Sequence, residues 1–97
     1  MKELTNKTAT LTIGSQKKDF SVADLLIECL NHTAKGLNIQ EIRKRIKVLE
    51  RIEKAKDPKH KKIMLEDADY EVAKQCVDQM SWGIVDPFIL EFTDMFN

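Results

Sequence analysis

The side chains with the widest chemical repertoire in this chain are two cysteines, two histidines and a small group of acids. Cys29 and Cys76 are the only thiols. Nucleophilic catalysis needs a base beside the sulfur, and zinc needs further ligands at close spacing, such as a paired Cys-x-x-Cys. Neither pattern occurs, so both cysteines read as buried free thiols acting as small hydrophobes. His32 and His60 stand beside predicted helix or loop ends and read as surface imidazoles. Glu66 and Asp69 have a spacing that a metal site or a general base could use. A first-turn role at a helix N-terminus, where acids complement the dipole, accounts for the same residues. With no phosphate-binding glycine loop, EF-hand or zinc motif, the expectation is no enzyme, no catalytic residue, no metal and no cofactor.

Charge is the more informative property. Sixteen basic and sixteen acidic residues cancel over the whole chain. They are not evenly spread. Residues 43–62 hold ten basic against three acidic side chains, and residues 63–97 hold eight acidic against one basic, Lys74. One segment is therefore +7 and the next −7. Arg43, Lys47, Arg51 and Lys54 recur at helical spacing and would form one ridge, flanked by Lys44 and Arg45. Three readings stay open for that ridge. It can be a solvated face, a dock for an acidic protein partner (a second copy included), or a contact for a phosphate-bearing nucleotide or nucleic acid. The candidate ligand- or partner-binding residues are Arg43, Arg45, Lys47 and Arg51.

These residues need a scaffold. Ninety-seven residues make a single domain, 1–97. No apolar run approaches the ~20 residues that span a bilayer, and the first seven residues lack a signal peptide's apolar stretch. The expectation is no membrane and a cytoplasmic location. Residues 8–13 alternate Thr with Ala9, Leu11 and Ile13, a half-buried strand. Gly14 and Ser15 supply a turn, and 17–20 return. A four-residue loop, setting Leu11 opposite Phe20, is preferred over a two-residue loop setting it opposite Lys18. Ile63, Met64 and Leu65 are too few to classify and read as a third strand or a linker.

Four helices follow the hairpin. Ser21 and Asp24 form a capping box, ahead of a stripe of Val22, Leu25, Leu26, Cys29 and Leu30 that ends near His32. Asn38 caps the second helix, with Leu37 and Ile42 as a staple and Ile39, Ile42, Ile46 and Leu49, continued by Ile52 or Glu53, as its apolar seam, running to about Ala55. Glu66 or Asp67 caps the third, in which Tyr70, Ala73, Cys76, Val77 and Met80 share a face. Asp86 and Pro87 start the fourth. Phe88, Phe92, Met95 and Phe96 mark its apolar face, read either as core or as a homo-oligomer interface. The fold class expected is α+β, mainly α, with residues 1–20 as the hairpin part and 21–97 as the helical part.

At Leu65-Glu66-Asp67-Ala68-Asp69-Tyr70 and Trp82-Gly83-Ile84-Val85-Asp86-Pro87, the chain resembles small accessory proteins encoded by tailed bacteriophages. The likeness extends loosely upstream through Gly36, Leu37 and residues 42–49, covering about the last two-thirds. It implies a phage or prophage origin, residence in the host cytoplasm, and a job in assembly, regulation or countering host defence. The expected function is a non-catalytic binding or adaptor protein acting as a homo-oligomer. Two alternatives stand beside it. One is an oligomeric sponge for a host nucleotide second messenger; the other is a DNA-binding regulator using the 38–55 helix, a runner-up because its linker exceeds a helix–turn–helix turn.

Overall fold

The computed structural model describes residues 2–13, 15–32, 36–54, 62–83 and 85–96. Its elements run β1 (Lys2–Thr5), β2 (Thr8–Ile13), β3 (Gln16–Ser21), α1 (Val22–Asn31), α2 (Ile39–Lys54), β4 (Lys62–Leu65), α3 (Asp67–Gln79) and α4 (Pro87–Asp94). The fold is α+β: an N-terminal hairpin precedes four helices, as the alternation and caps predict.

The hairpin register differs from the one preferred above. Ile13 pairs with Gln16, so two residues form the loop, and Leu11 lies opposite Lys18 while Ala9 faces Phe20. Loops of two and four residues shift the register by two, and side chains alternate with period two. Both registers therefore keep Leu11 and Phe20 on one face, and the apolar pattern could not choose between them. Leu11 is fully buried and Lys18 still reaches solvent. Across the other face, Thr10 Oγ1 donates to Asp19 Oδ1 at 2.6 Å.

A second small sheet was not legible as such. β1 pairs antiparallel with β4, with Leu4 opposite Ile63 and Lys2 opposite Leu65. Leu4, Ile63 and Leu65 are buried, while Glu3, Met64 and Lys62 face outward. Lys62 Nζ sits 2.7 Å from Glu3 Oε1 on the exposed side. Ile63, Met64 and Leu65 are thus a strand. Four residues carry little periodicity, and the partner lies some sixty residues away, so only long-range pairing defines them.

The turn between the sheets anchors α1. The Val22 amide donates to the Lys7 carbonyl at 2.9 Å, the Ala23 amide to Asn6 Oδ1 at 3.1 Å, and the Asp24 amide to Ser21 Oγ at 3.1 Å. Asp24 Oδ2 accepts from the Ser21 amide in return, completing the capping box. First-turn donors that have no partner within the helix are thereby satisfied. Val22, Leu25, Leu26, Cys29 and Leu30, the stripe read from spacing, are all buried.

In α2 the buried face is only in part the expected one: Ile52 is buried and Leu49 half-buried against the core, but the N-terminal half of the seam is not. Asn38 does cap it, accepting from the Glu41 amide at 2.9 Å. Yet Arg45, Val48 and Ile52 point inward, while Ile39, Ile42 and Ile46 are 63%, 37% and 48% exposed. The two seams share the same three-and-four spacing and lie roughly a third of a turn apart. Periodicity alone could not rank them. Packing against α1, α3 and β4 selects the Arg45 side.

α3 buries Ala73, Cys76 and Val77, with Tyr70 and Met80 half-buried beside them, as expected. α4 begins where Asp86 Oδ1 accepts from the Phe88 amide at 2.9 Å, with Pro87 in the first turn. Its Phe92 stands edge-on to Trp82 at 5.7 Å and to Phe96 at 5.6 Å, and Phe96 stacks on Tyr70 at 5.4 Å. This aromatic cluster closes the core at the C-terminal end.

Candidate functional site

The four basic residues singled out from the sequence do not form one free ridge. Arg45 is buried, and its Nη1 donates to the carbonyls of Leu30 at 3.0 Å and His32 at 2.9 Å. Those are carbonyls at the C-terminal end of α1, where acceptors lack helical partners and a cation complements the dipole. Arg45 is therefore a helix cap in space, and it is withdrawn from any surface ligand.

Arg51 is also engaged. Its Nη2 lies 3.0 Å from Glu66 Oε1, and its Nε lies 3.2 Å from Asp69 Oδ2. Lys47 Nζ approaches Asp69 Oδ1 at 3.8 Å from the other side. Glu66 and Asp69, the pair whose spacing admitted a metal or a base, thus clamp α2 to the start of α3. Glu66 occupies the N-cap position of α3, but its side chain makes no capping bond and turns to Arg51 instead. Asp69 is 4% exposed, not a surface acid as its first-turn position implied. Its Oδ2 accepts no well-aligned hydrogen bond and is held by the adjacent Arg51 charge. The +7 and −7 segments thus meet within one chain.

Arg43 is exposed and makes no ion pair with a described residue, while Lys44 lies 3.6 Å from Glu41 along its own helix. Beside the clamp, Lys47, Glu50, Arg51, Lys54 and Met64 line an open concavity of about 500 Å³. A narrower groove of about 380 Å³ runs between α2 and α3, bordered by Lys44, Lys47, Asp69, Val72 and Gln75. A third hollow, also about 380 Å³ and mostly apolar, opens at the start of α4 between Val85, Asp86, Pro87, Ile89 and Leu90.

The aromatic residues named as a candidate oligomer interface are placed in the chain's own core. Phe88 is 6% exposed, Phe92 and Phe96 are fully buried, and Met95 is half-buried against them. What α4 presents outward is Leu90, 67% exposed, preceded in the chain by the fully exposed Val85.

Both cysteines are buried thiols. Burial pushes the Cys29 thiol from 9.0 up to about 12, reinforced by Cys76 and Glu28. Burial likewise raises Cys76, with Arg45 pulling the other way and Glu41 adding to the rise. Such thiols are poor nucleophiles and poor metal ligands at neutral pH. Among the described residues no group of three or more His, Cys, Asp and Glu side chains is placed to hold a metal ion. Nor is any described helix long and apolar enough to cross a membrane. His32 is half-buried at the α1 terminus; His60 and the basic residues at 56–61 lie outside the described residues.

No protein-family model, curated protein or solved structure matches the chain. The reading of its function therefore stands on its own surfaces.

Sequence reasoning missed two features here. Isoleucines in a regular helical seam look like core, so spacing alone does not reveal that Ile39, Ile42 and Ile46 are exposed. An arginine inside a basic run looks like surface, so the Arg45 cap was hidden. The available signal is that Ile52, already a candidate for the seam, also lies in line with Val48 and Arg45 at steps of four and three.

Proposed function

We propose that this chain is a small non-catalytic binding or adaptor module that works as a homo-oligomer. The observation that carries this reading is the row of Ile39, Ile42 and Ile46 left open on one face of α2. Single exposed apolar residues are ordinary, but an aligned set bordered by charge is the composition of a protein contact. Residues 43–62 and 63–97 carry opposite charge, part of which the Arg51 clamp pairs within the chain; the remainder can steer and orient encounters between copies. Apart from these surfaces, and on the resemblance of residues 65–70 and 82–87 to tailed-phage accessory proteins alone, we assign the module a role in assembly, regulation or countering host defence in the host cytoplasm.

The phosphate readings draw less support. A nucleotide sponge or a DNA-binding regulator would use Arg43, Arg45, Lys47 and Arg51. Of these, Arg45 is buried as a cap and Arg51 is neutralised by Glu66 and Asp69. The connection between α1 and α2 covers residues 32–38, longer than a helix–turn–helix turn, and the Arg51 side of α2 is clamped to α3. The open concavity beside Lys47, Arg51 and Lys54 is what keeps a phosphate-bearing ligand as the second reading.

Two measurements on the purified chain test the proposal. Light scattering at tens of micromolar is expected to give a mass above the monomer. Thermal-shift and filter-binding titrations with cyclic nucleotides, linear nucleotides and duplex DNA at low salt are expected to give no saturable binding. A monodisperse monomer would remove the oligomer, and turnover of any nucleotide would remove the non-catalytic assignment.

A further inference from the structure

β1 is held to the molecule chiefly at one place. Its four residues pair with β4, which is its one extensive contact among the described elements. Leu4 is buried, whereas Lys2, Glu3 and Thr5 are exposed. The contacts on the exposed side are weak ones. Lys62 Nζ lies 2.7 Å from Glu3 Oε1 with both side chains in solvent, and Lys2 Nζ stands 5.6 Å from the centre of the Tyr70 ring. Exposed pairs of these kinds contribute little to stability. β4 has a firmer hold of its own, because Ile63 and Leu65 are buried and the strand packs on α2 and α3.

The chain is fixed again immediately after β1. Asn6 Oδ1 accepts from the Ala23 amide at 3.1 Å, and the Lys7 carbonyl accepts from the Val22 amide at 2.9 Å. Between strand and anchor stands a tight turn, in which the Lys7 amide donates to the Thr5 carbonyl at 3.1 Å. Rotation about Thr5 and Asn6 therefore frees β1 without disturbing β2 or the start of α1. Each ordered residue costs backbone entropy, and here one leucine, a short ladder and solvated contacts offset it. Segments with few buried apolar contacts open well below the global transition.

We propose that β1 is a detachable strap: residues 2–5 leave β4 as a unit while the rest of the fold persists. Opening bares the edge of β4, a row of backbone donors and acceptors able to pair with another extended chain. It also withdraws Glu3 from Met64, its cross-strand partner, and Met64 lines the concavity beside Lys47, Arg51 and Lys54. The strap goes beyond the binding-module reading and does not depend on it.

Native-state hydrogen exchange on the full chain, read by NMR at rising sub-denaturing urea, tests this. Amides of the β1–β4 ladder are expected to exchange about tenfold or more faster than those of Leu25 and Leu26 in α1, with little dependence on urea. Glu3→Cys and Met64→Cys in one chain set two thiols at directly opposed strand positions, within reach of a disulfide. Both positions are exposed, so the variant is expected to fold, as a circular dichroism melt verifies. Oxidised, it is expected to slow ladder exchange about tenfold or more, and reduction is expected to restore the native rate. Ladder amides that exchange at the α1 rate with the urea dependence of global unfolding would overturn the strap. So would a closed disulfide that leaves their exchange unchanged.

Discussion

The guanidinium of Arg45 on α2 donates to the carbonyl of Leu30 on α1 at 3.0 Å, joining the middle of one helix to the end of another. Its second bond, to the His32 carbonyl at 2.9 Å, makes it the cap that α1 lacks locally, since no basic residue occupies the helix's last turn. Arg45→Met keeps the stem's packing and leaves both carbonyls without that donor. A loss of about 1–3 kcal/mol is expected, the cost of buried acceptors left unpaired. Urea titration measures it, and amide exchange should quicken first at the end of α1. Arg43→Glu, two positions away and exposed, should change stability by less than about 0.5 kcal/mol.

The clamp between Arg51 and Asp69 should show as coupling. Asp69→Asn and Arg51→Met are each expected to destabilise, and the double variant less than additively. A double-mutant cycle should give an interaction of about 1 kcal/mol, because Asp69 is buried while Arg51 remains part-exposed to solvent and salt. Additive effects would mean that the contact contributes nothing to the fold.

Phe92 is the residue on which the C-terminal end of the core depends. It is fully buried and touches both Trp82 and Phe96 edge-on. Phe92→Ala should cost about 3–5 kcal/mol, the range for an aromatic removed from a core. Truncation before Asp86 also removes Phe88, Ile89 and Phe96, and it should abolish the cooperative thermal transition. A truncated chain that melts cooperatively as a monomer would show that α4 is an accessory to the core.

The thiol of Cys29 gives a pH signature. Its folded-state value, about 12, lies above the ordinary 9.0, so the native state holds this proton more tightly than the unfolded chain. The stability it contributes is complete below pH 9 and is lost progressively as pH rises toward 12. Native protein should therefore lose more thermal stability between those limits than Cys29→Ala does. At neutral pH the same burial should keep Cys29 and Cys76 unreactive toward iodoacetamide until urea unfolds the chain.

Local chemistry was sufficient for the parts of this protein that local chemistry governs. Ser21 with Asp24, Asn38, and Asp86 with Pro87 announce helix starts because each satisfies or omits a backbone donor within its own turn. The α1 stripe and the alternation of residues 8–13 likewise follow from periods set by backbone geometry. Three decisions belonged to tertiary structure. Hairpin register was open because a shift of two leaves every side chain on its own face. The β1–β4 sheet was hidden because two four-residue strands carry too little pattern without each other. The inward face of α2 was undecided because two seams with one spacing compete, and only the neighbours that supply Leu30 and Asp69 rank them. That choice turned Arg45 from a surface cation into a buried cap and left Ile39, Ile42 and Ile46 in the open. Spacing records which residues share a side of a helix, whereas burial is decided by what stands opposite.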